Sequence, residues 1–309
     1  MKYKCYRLTF PKGLRMGKGR IDTSEIEIPG DVLFSAILNE ASKISGQCCE
    51  RIIEETRNGN LLFTDAFPYI GEEYFLPKPY IQINSESGNS SEKKEFKKLN
   101  YIPLSKWEEF LQGRGNPMEL NRHFQNFGKK SIDTKIFYSE ERDHEIYNLS
   151  YFRFHKGNGL YFILGFHENQ NLIYDLLKSI GYTGIGGKKS IGLGRFTLEE
   201  RPLPKTLEQK LNTEKPSMLL STSMATKEEL EMKTLEDSSY MLTRRGGFIH
   251  SEDKRGKNTP TSRKKAMHFF KPGSIFKQPF QGDLFPVDYH FVHPIYRYGK
   301  PFWMEVDIL

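Results

Sequence analysis

Polar and apolar residues alternate from Lys2 to Phe10, with Tyr3, Cys5, Leu8 and Phe10 among the apolar positions, and the alternation predicts a first strand. Ile26 and Ile28 predict a short extended piece. Apolar residues at 33, 34, 37, 38 and 41 then recur at helical spacing and predict a helix over 31–44 with Asp31 as its N-cap. Between about 60 and 148 the pattern breaks up. Phe67-Pro68 and Leu76-Pro-Lys-Pro-Tyr80 are rich in turn residues, and the polar run from Asn84 to Asn100 reads as a loop. Ser105 to Glu108 has the spacing of a capping box, opening a short helix that Gly113 can end. Lys129 to Tyr147 predicts a hairpin around Ser139–Asp143, and Tyr151 to Phe166 a second one around a type I′ turn at Asn158-Gly159. Asn171 to Ile180 has apolar residues at 172, 173, 176, 177 and 180, a helix, and Gly194 to Leu198 reads as a strand.

Read in order, the first 200 residues give strand, helix, insertion, strand, strand, helix, glycine-rich loop, strand. That is the βαββαβ order of a ferredoxin-like fold. Residues 200–216 read as a linker into a second domain. There, Tyr240 to Ile249 is strand-like with a cationic turn, 253–265 is a basic loop, and two strands flank Gly299-Lys300 near the end. The expected fold class is α+β, with two ferredoxin-like (RRM-like) domains. Residues 1–200 hold an insertion at about 60–148, and residues 201–309 form a degenerate second copy.

Charge sharpens this picture. The chain carries a net +7 and a pI near 9.0, which favours an acidic partner. Residues 1–20 contain seven Lys/Arg and no acid, and residues 244–277 contain ten Lys/Arg against Glu252 and Asp253. The segment 199–241 between them is net acidic. Such clustering is the footprint of a nucleic-acid surface rather than of general solubility. No apolar run has the length of a membrane span, so no membrane partner is expected. The N-terminus has no secretory h-region, and Cys5, Cys48 and Cys49 form neither a C-x-x-C pair nor a disulfide framework. A reducing cytoplasm is the simplest home.

The densest chemistry lies in Gly181 to Phe196, GYTGIGGKKSIGLGRF, where six of the first fifteen residues are glycine and Lys188, Lys189 and Arg195 are the only charges. Glycines allow positive φ and close approach to a ligand, and turns rich in free N–H groups form anion-binding concavities. A P-loop is excluded. Gly187-Lys188 is followed by Lys189 rather than Ser or Thr, Ser190 comes one place late, and the loop joins helix to strand instead of strand to helix. A second loop of the same composition, Pro11-Lys12-Gly13-Leu14-Arg15-Met16-Gly17-Lys18-Gly19, follows the first strand, and both loops are expected on one side of one sheet. The candidate anion-binding residues are Gly184, Gly186, Gly187, Lys188, Lys189, Ser190, Gly192, Gly194 and Arg195, with Lys12, Gly13 and Lys18 from the first loop. Arg244 and Arg245, beside Gly246-Gly247, are expected to close the same groove from the second domain. Tyr151, Phe152 and Phe154 are read as core, with base stacking as the alternative.

The loop G-x-G-G-K-K-S-x-G-x-G-R-F between a last helix and a last strand resembles that of the repeat-associated RNA-binding (RAMP) proteins of CRISPR systems. PGDVLFSAILNEA resembles the first-helix signature of a type III-A (Csm) subunit related to the fifth Cas family, the fourth Csm subunit. RRGGFI, KPGSIF and HPIYRYGKPFW resemble its C-terminal half. The resemblance implies a non-catalytic subunit that holds the 5′ handle of the guide (cr)RNA in antiviral defence. Its implied neighbours are the large polymerase-like Csm subunit and the backbone RAMP subunit that forms the filament. It also implies a protruding hairpin, the thumb, within the 60–148 insertion.

Rival readings are a RAMP endoribonuclease that processes repeat transcripts and a purely protein-binding scaffold. Metal-free RNA cleavage needs a proton acceptor near the 2′-OH. The 31–44 helix contains no histidine, although a distant one such as His123 can fold in. The eight histidines show no metal-ligand spacing. No metal, cofactor or small-molecule substrate is expected.

Overall fold

The computed structural model describes residues 1–17, 19–81, 90–137, 145–168, 170–211, 217–232, 235–249, 264–288 and 293–307. β1 (Lys2–Thr9) leads through a long loop to α1 (Gly30–Ile44) and α2 (Gly46–Arg57). Ser45 separates the two helices. Its N–H closes α1 on Ala41 O, and its Oγ caps α2 by accepting from Cys48 N. Then follow β2 (Leu61–Phe63), β3 (Phe67–Ile70), β4 (Glu73–Pro77), α3 (Ser90–Lys98), β5 (Tyr101–Pro103), α4 (Trp107–Leu111) and α5 (Pro117–Gln125). β6 (Gly128–Phe137), β7 (Glu145–Phe154), β8 (Asn158–Phe166), α6 (Asn171–Thr183) and β9 (Thr197–Arg201) complete the first two hundred residues.

β8 is the centre of the main sheet, whose strand order is β5-β4-β3-β8-β1-β9, with β2 also on β8. β8 pairs antiparallel with β1, β2 and β3. Every residue of β8 is buried, because both faces of the sheet are covered. On one face α1, α2 and α6 bury Leu33, Phe34, Ile37, Leu176 and Leu177 against Tyr6, Leu8, Phe162 and Leu164. On the other, Phe75, Trp107 and Phe110 of the insertion meet Cys5, Tyr161 and Ile163.

The second half completes that second face. α7 (Lys205–Glu208), β10 (Ser217–Leu219), α8 (Lys227–Glu231), β11 (Leu242–Arg245), β12 (Met267–Phe270), β13 (Ile275–Phe276), β14 (Leu284–Asp288), β15 (Ile295–Tyr298) and β16 (Trp303–Glu305) follow in order. β10 pairs with β13 and β16, β11 with β12, and β14 with β15. Met218, Leu220, Ile275, Phe302, Met304 and Val306 pack in the same core as Tyr161, while Tyr298 reaches the helix side between Phe34 and Phe63. The stretch read as a linker also contributes, since Leu207 and Leu211 are buried there.

Four local expectations change. Tyr151–Phe166 is not a hairpin: β7 pairs with β6 and β8 with the main sheet, so Asn158 and Gly159 lie in β8 opposite Ile70 and Tyr69. The Asn158 side chain serves Gly71 N, Asn126 O and Phe127 O rather than a turn. Ser105 makes no capping box. It sits in a short 3-10 turn, with its N–H bound to Glu73. A true capping box joins Thr226 and Glu229 at α8. Within the polar run, residues 82–89 lie outside the described residues, but 90–98 form α3, seated by Phe96 stacked on Phe110 and by buried Leu99. Asp31 is not the N-cap of α1. Pro29 holds that place, and Asp31 lies in the first turn with its carboxylate buried. Among the described residues no helix is long and apolar enough to cross a membrane.

Candidate nucleic-acid interface

The two glycine-rich loops lock together. Gly194 N donates to Gly13 O at 2.9 Å and Gly187 N to Arg15 O at 2.8 Å. Ile185 N reaches Gly194 O, and Phe196 N reaches Gly181 O, which closes the second loop on itself. The glycines are required by this contact. Gly194 has φ +76°, and a Cβ there would fall 1.9 Å from Ile185 O. At Gly186, φ +85°, it would fall 2.5 Å from Arg15 O. Gly13, Gly184 and Gly192 also take positive φ. Thus two of the loop's N–H groups expected to face a ligand, those of Gly187 and Gly194, hold the two loops to each other.

Cations line the outside. Lys12, Lys188, Lys189 and Arg195 are exposed, as is Ser190. The Lys12 side chain lies across Gly192, whose added Cβ would meet Lys12 Nζ at 3.3 Å. Lys18 lies outside the described residues. Arg15, equally cationic in sequence, turns inward. Its Nη2 donates to the carbonyls of Arg20 and Ile21, and burial lowers its pKa.

The loops abut the long hairpin β6–β7. Leu14 exchanges two 2.8 Å hydrogen bonds with Phe152, and Ser150 N binds Ile21 O, so the first loop runs along the edge of β7. Leu193 of the second loop packs with Leu149 and Tyr151, and Lys188 Nζ lies 5.3 Å from the centre of the Tyr147 ring. The hairpin predicted from 129–147 is present with its arms in register from Gly128↔Phe154 to Phe137↔Glu145, and 138–144 lie outside the described residues. Tyr151 and Phe152 are buried, as a core reading requires. His123 lies on α5 with its ring edge-on to Phe75 at 5.5 Å.

Arg244 and Arg245 have different fates. Arg244 is exposed on β11, opposite His268. Arg245 Nη2 binds Asp31 Oδ1 at 2.8 Å, and Arg297 Nη1 binds Asp31 Oδ2 at 2.8 Å. Arg297 is 3% exposed and Asp31 5%. Burial alone would raise the Asp31 pKa, but the two guanidinium groups hold it below the usual carboxylate value. Lys264, at the return of the basic stretch, binds Gly247 O through its N–H and has its pKa lowered by burial and by Arg297. Asp65 lies beside this cluster. It accepts from Gly30 N, Thr222 N and Thr222 Oγ1, and burial pushes its pKa up to about 7. These residues clasp α1 to the second half. Sequence reading missed Asp65, Arg297 and the true partner of Asp31. The one local signal was Arg297 set between Tyr296 and Tyr298 in the run HPIYRYGKPFW.

Residues 212–306 match the family described as the CRISPR Csm4 C-terminal domain. Over 308 residues the chain is 31% identical to the "CRISPR system Cms protein Csm4" of Mycobacterium tuberculosis, covering 99% of this chain and 98% of the relative. It is 30% identical to the protein of the same description from Streptococcus thermophilus over 322 residues, covering 100% of each. Its fold is similar to chains in a solved Csm1-Csm4 cassette with pppApA (TM-score 0.63, 22% identity, 99% and 98% covered). It is likewise similar to a chain in a solved Csm3-Csm4 subcomplex of the type III-A CRISPR-Cas interference complex (TM-score 0.65, 20% identity, 98% and 99% covered).

Proposed function

The chain belongs to the Csm4 family of type III-A CRISPR subunits, and on that premise we propose that it is a non-catalytic RNA-binding subunit that holds the 5′ handle of the guide RNA on its interlocked glycine loops. The observation that carries this reading is the arrangement of exposed Lys12, Lys188, Lys189 and Arg195 on a rigid double loop at the foot of the β6–β7 hairpin. In the reading, cations neutralise successive phosphates, and the loop–loop hydrogen bonds hold them in place before RNA arrives, which lowers the entropic cost of binding. Gly184, Gly186, Gly187, Gly192, Gly194 and Gly13 act as scaffold, Ser190 extends the surface, and Arg244 approaches from β11. Arg245 is committed to Asp31 and serves as a clasp.

The strand order β9-β1-β8-β3, with α1 and α6 on one face, supports a ferredoxin-like first domain over 1–200 whose second strand is split between β2 and β3. Residues 201–309 then form a reduced second domain that shares its core with the first. The β6–β7 hairpin is the thumb. Relatives solved with Csm1 and with Csm3 support a place between the large polymerase-like subunit and the backbone RAMP subunit in a cytoplasmic complex. The test is to purify the tagged protein from its own host and sequence the RNA that accompanies it. Short RNAs sharing one 5′ end, arriving with RAMP-like proteins, are expected. An eluate free of RNA would remove the phosphate reading and favour a protein-only scaffold, and cleavage of repeat RNA by the purified chain would favour the nuclease.

A further inference from the structure

Residues 147, 149, 151 and 153 alternate onto one face of β7, and that face looks at the second glycine loop. Leu149 and Tyr151 pack with Leu193, and Tyr147 lies half-buried against that cluster. Over Tyr147 sits the ammonium of Lys188, 5.3 Å from the ring centre. Lys188 holds φ +60°, the left-handed region, and apart from Asp237 every other described residue with positive φ is glycine. A lysine in that conformation is disfavoured relative to glycine. The loop thus keeps a strained residue at the one position that carries a cation onto an aromatic face of the hairpin. Strain of this kind gathers where a ligand is gripped.

We propose that Tyr147 and Lys188 form a clamp for a single RNA nucleotide, in which the base stacks on the Tyr147 ring and the Lys188 ammonium turns from the ring to the adjoining phosphate. In the free protein the ammonium covers the aromatic face through a cation–π contact, and nucleotide binding exchanges that contact for a stacked base and an ion pair. Leu193 packs in the cluster against which Tyr147 lies, which ties the glycine loop to the hairpin, so loop and hairpin close on the nucleotide as one unit. Stacking reads a π-face rather than a hydrogen-bond pattern, so the clamp accepts any base and sets the position of the strand on the protein. The hairpin's opposite face differs in kind, since Ile132, Ile136 and Ile146 are exposed there. The proposal rests on reading the glycine loops as the RNA surface.

The experiment measures guide-RNA affinity against salt concentration for the full chain assembled with its complex, using wild type, Tyr147→Leu, Tyr147→Phe, Lys188→Gly, and the control pair Lys189→Ala and Arg195→Ala. A set of guide RNAs with single abasic positions in the 5′ handle is run in parallel. Tyr147→Leu is expected to weaken binding about 5- to 100-fold at every salt concentration without changing the slope, while Tyr147→Phe stays within about twofold of wild type. One abasic position should erase the difference between wild type and Tyr147→Leu. Lys188→Gly, which relieves the backbone strain, should flatten the salt slope by about 0.7. Unchanged affinity in Tyr147→Leu alongside weakened Lys189→Ala and Arg195→Ala overturns the clamp and leaves the RNA surface standing. Unchanged affinity in all of these variants defeats the underlying reading itself. Loss of a neighbouring subunit from Tyr147→Leu assemblies, with RNA affinity intact, would make the ring a protein contact and also overturn the clamp.

Discussion

Gly186-Gly187-Lys188-Lys189 and Arg244-Arg245-Gly246-Gly247 look alike in sequence, two glycines beside two cations, and the folded chain uses them in opposite ways. In the first, the Gly187 N–H is consumed in a loop–loop hydrogen bond and the lysines are left on the outside. In the second, one arginine is drawn inward with Arg297 onto a buried carboxylate that begins α1, more than two hundred residues away in the chain. What separates them is the presence of Asp31. A cation near a buried acid becomes a structural clasp, since an unpaired charge in the interior is costly. A cation with no acid within reach stays solvated and available to a phosphate. A glycine–cation motif therefore does not identify a nucleic-acid site until the nearest carboxylate has been found.

The largest expected effect lies in the clasp. Asp31→Ala leaves Arg297 buried without its partner and should cost about 3–5 kcal/mol of stability, read by denaturant unfolding of the purified chain. Lys189→Ala, on the exposed side of the comparison, should stay within about 0.5 kcal/mol. Similar losses from both would erase the distinction. Gly194→Ala comes next. Its Cβ would collide with Ile185 O, and its φ of +76° is strained for any other residue, so a loss of about 2–3 kcal/mol with weakened RNA binding is expected. This variant breaks the exposed site through its scaffold rather than its charge.

Asp65 sharpens the clasp through pH. Its carboxyl binds a proton more tightly in the folded chain, near 7, than at its ordinary 3.8, so stability contributed by the protonated form is lost as pH rises between those values. Asp31 works in the other direction, since its lowered pKa contributes stability that is lost only as pH falls below the ordinary carboxylate range. Asp65→Asn keeps the acceptor for Gly30 N and Thr222 N while removing the titration. It should gain about 1–2 kcal/mol at pH 8 and flatten the pH 4–7 profile of thermal stability. A variant with an unchanged profile would mean that Asp65 is not the titrating group. The smallest effect separates the two arginines. Arg244→Ala should flatten the salt slope of RNA binding by about 0.7 with stability intact, whereas Arg245→Ala should lower the unfolding midpoint.

Much of this was legible along the chain. β1, α1 and α6 follow from the spacing of Leu8, Leu33, Ile37, Ile173 and Leu177, because α1 and α6 each bury one face and β1 turns alternate residues into the cores on its two sides, so the period survives in the sequence. The glycine loop was legible because its chemistry is contiguous. Asn158-Gly159 misled for a tertiary reason. A local turn signal competes with burial, and β8, apolar on both faces, gains more from the centre of the sheet than from pairing with β7. α3 was hidden because Phe96 and Leu99 are the apolar anchors of a helix whose other residues are polar. The role of Asp31 depends on residues 245 and 297, and no local window contains them.

The most direct measurement is the salt dependence of guide-RNA binding by a chain carrying Lys188→Ala, Lys189→Ala and Arg195→Ala together, with its unfolding transition recorded beside it. If these exposed cations neutralise phosphates of a single strand, the slope of log affinity against log salt should flatten by about 2 while the unfolding transition stays where it was. An unchanged slope, with the protein equally stable, would contradict the assignment of the glycine loop as the RNA surface.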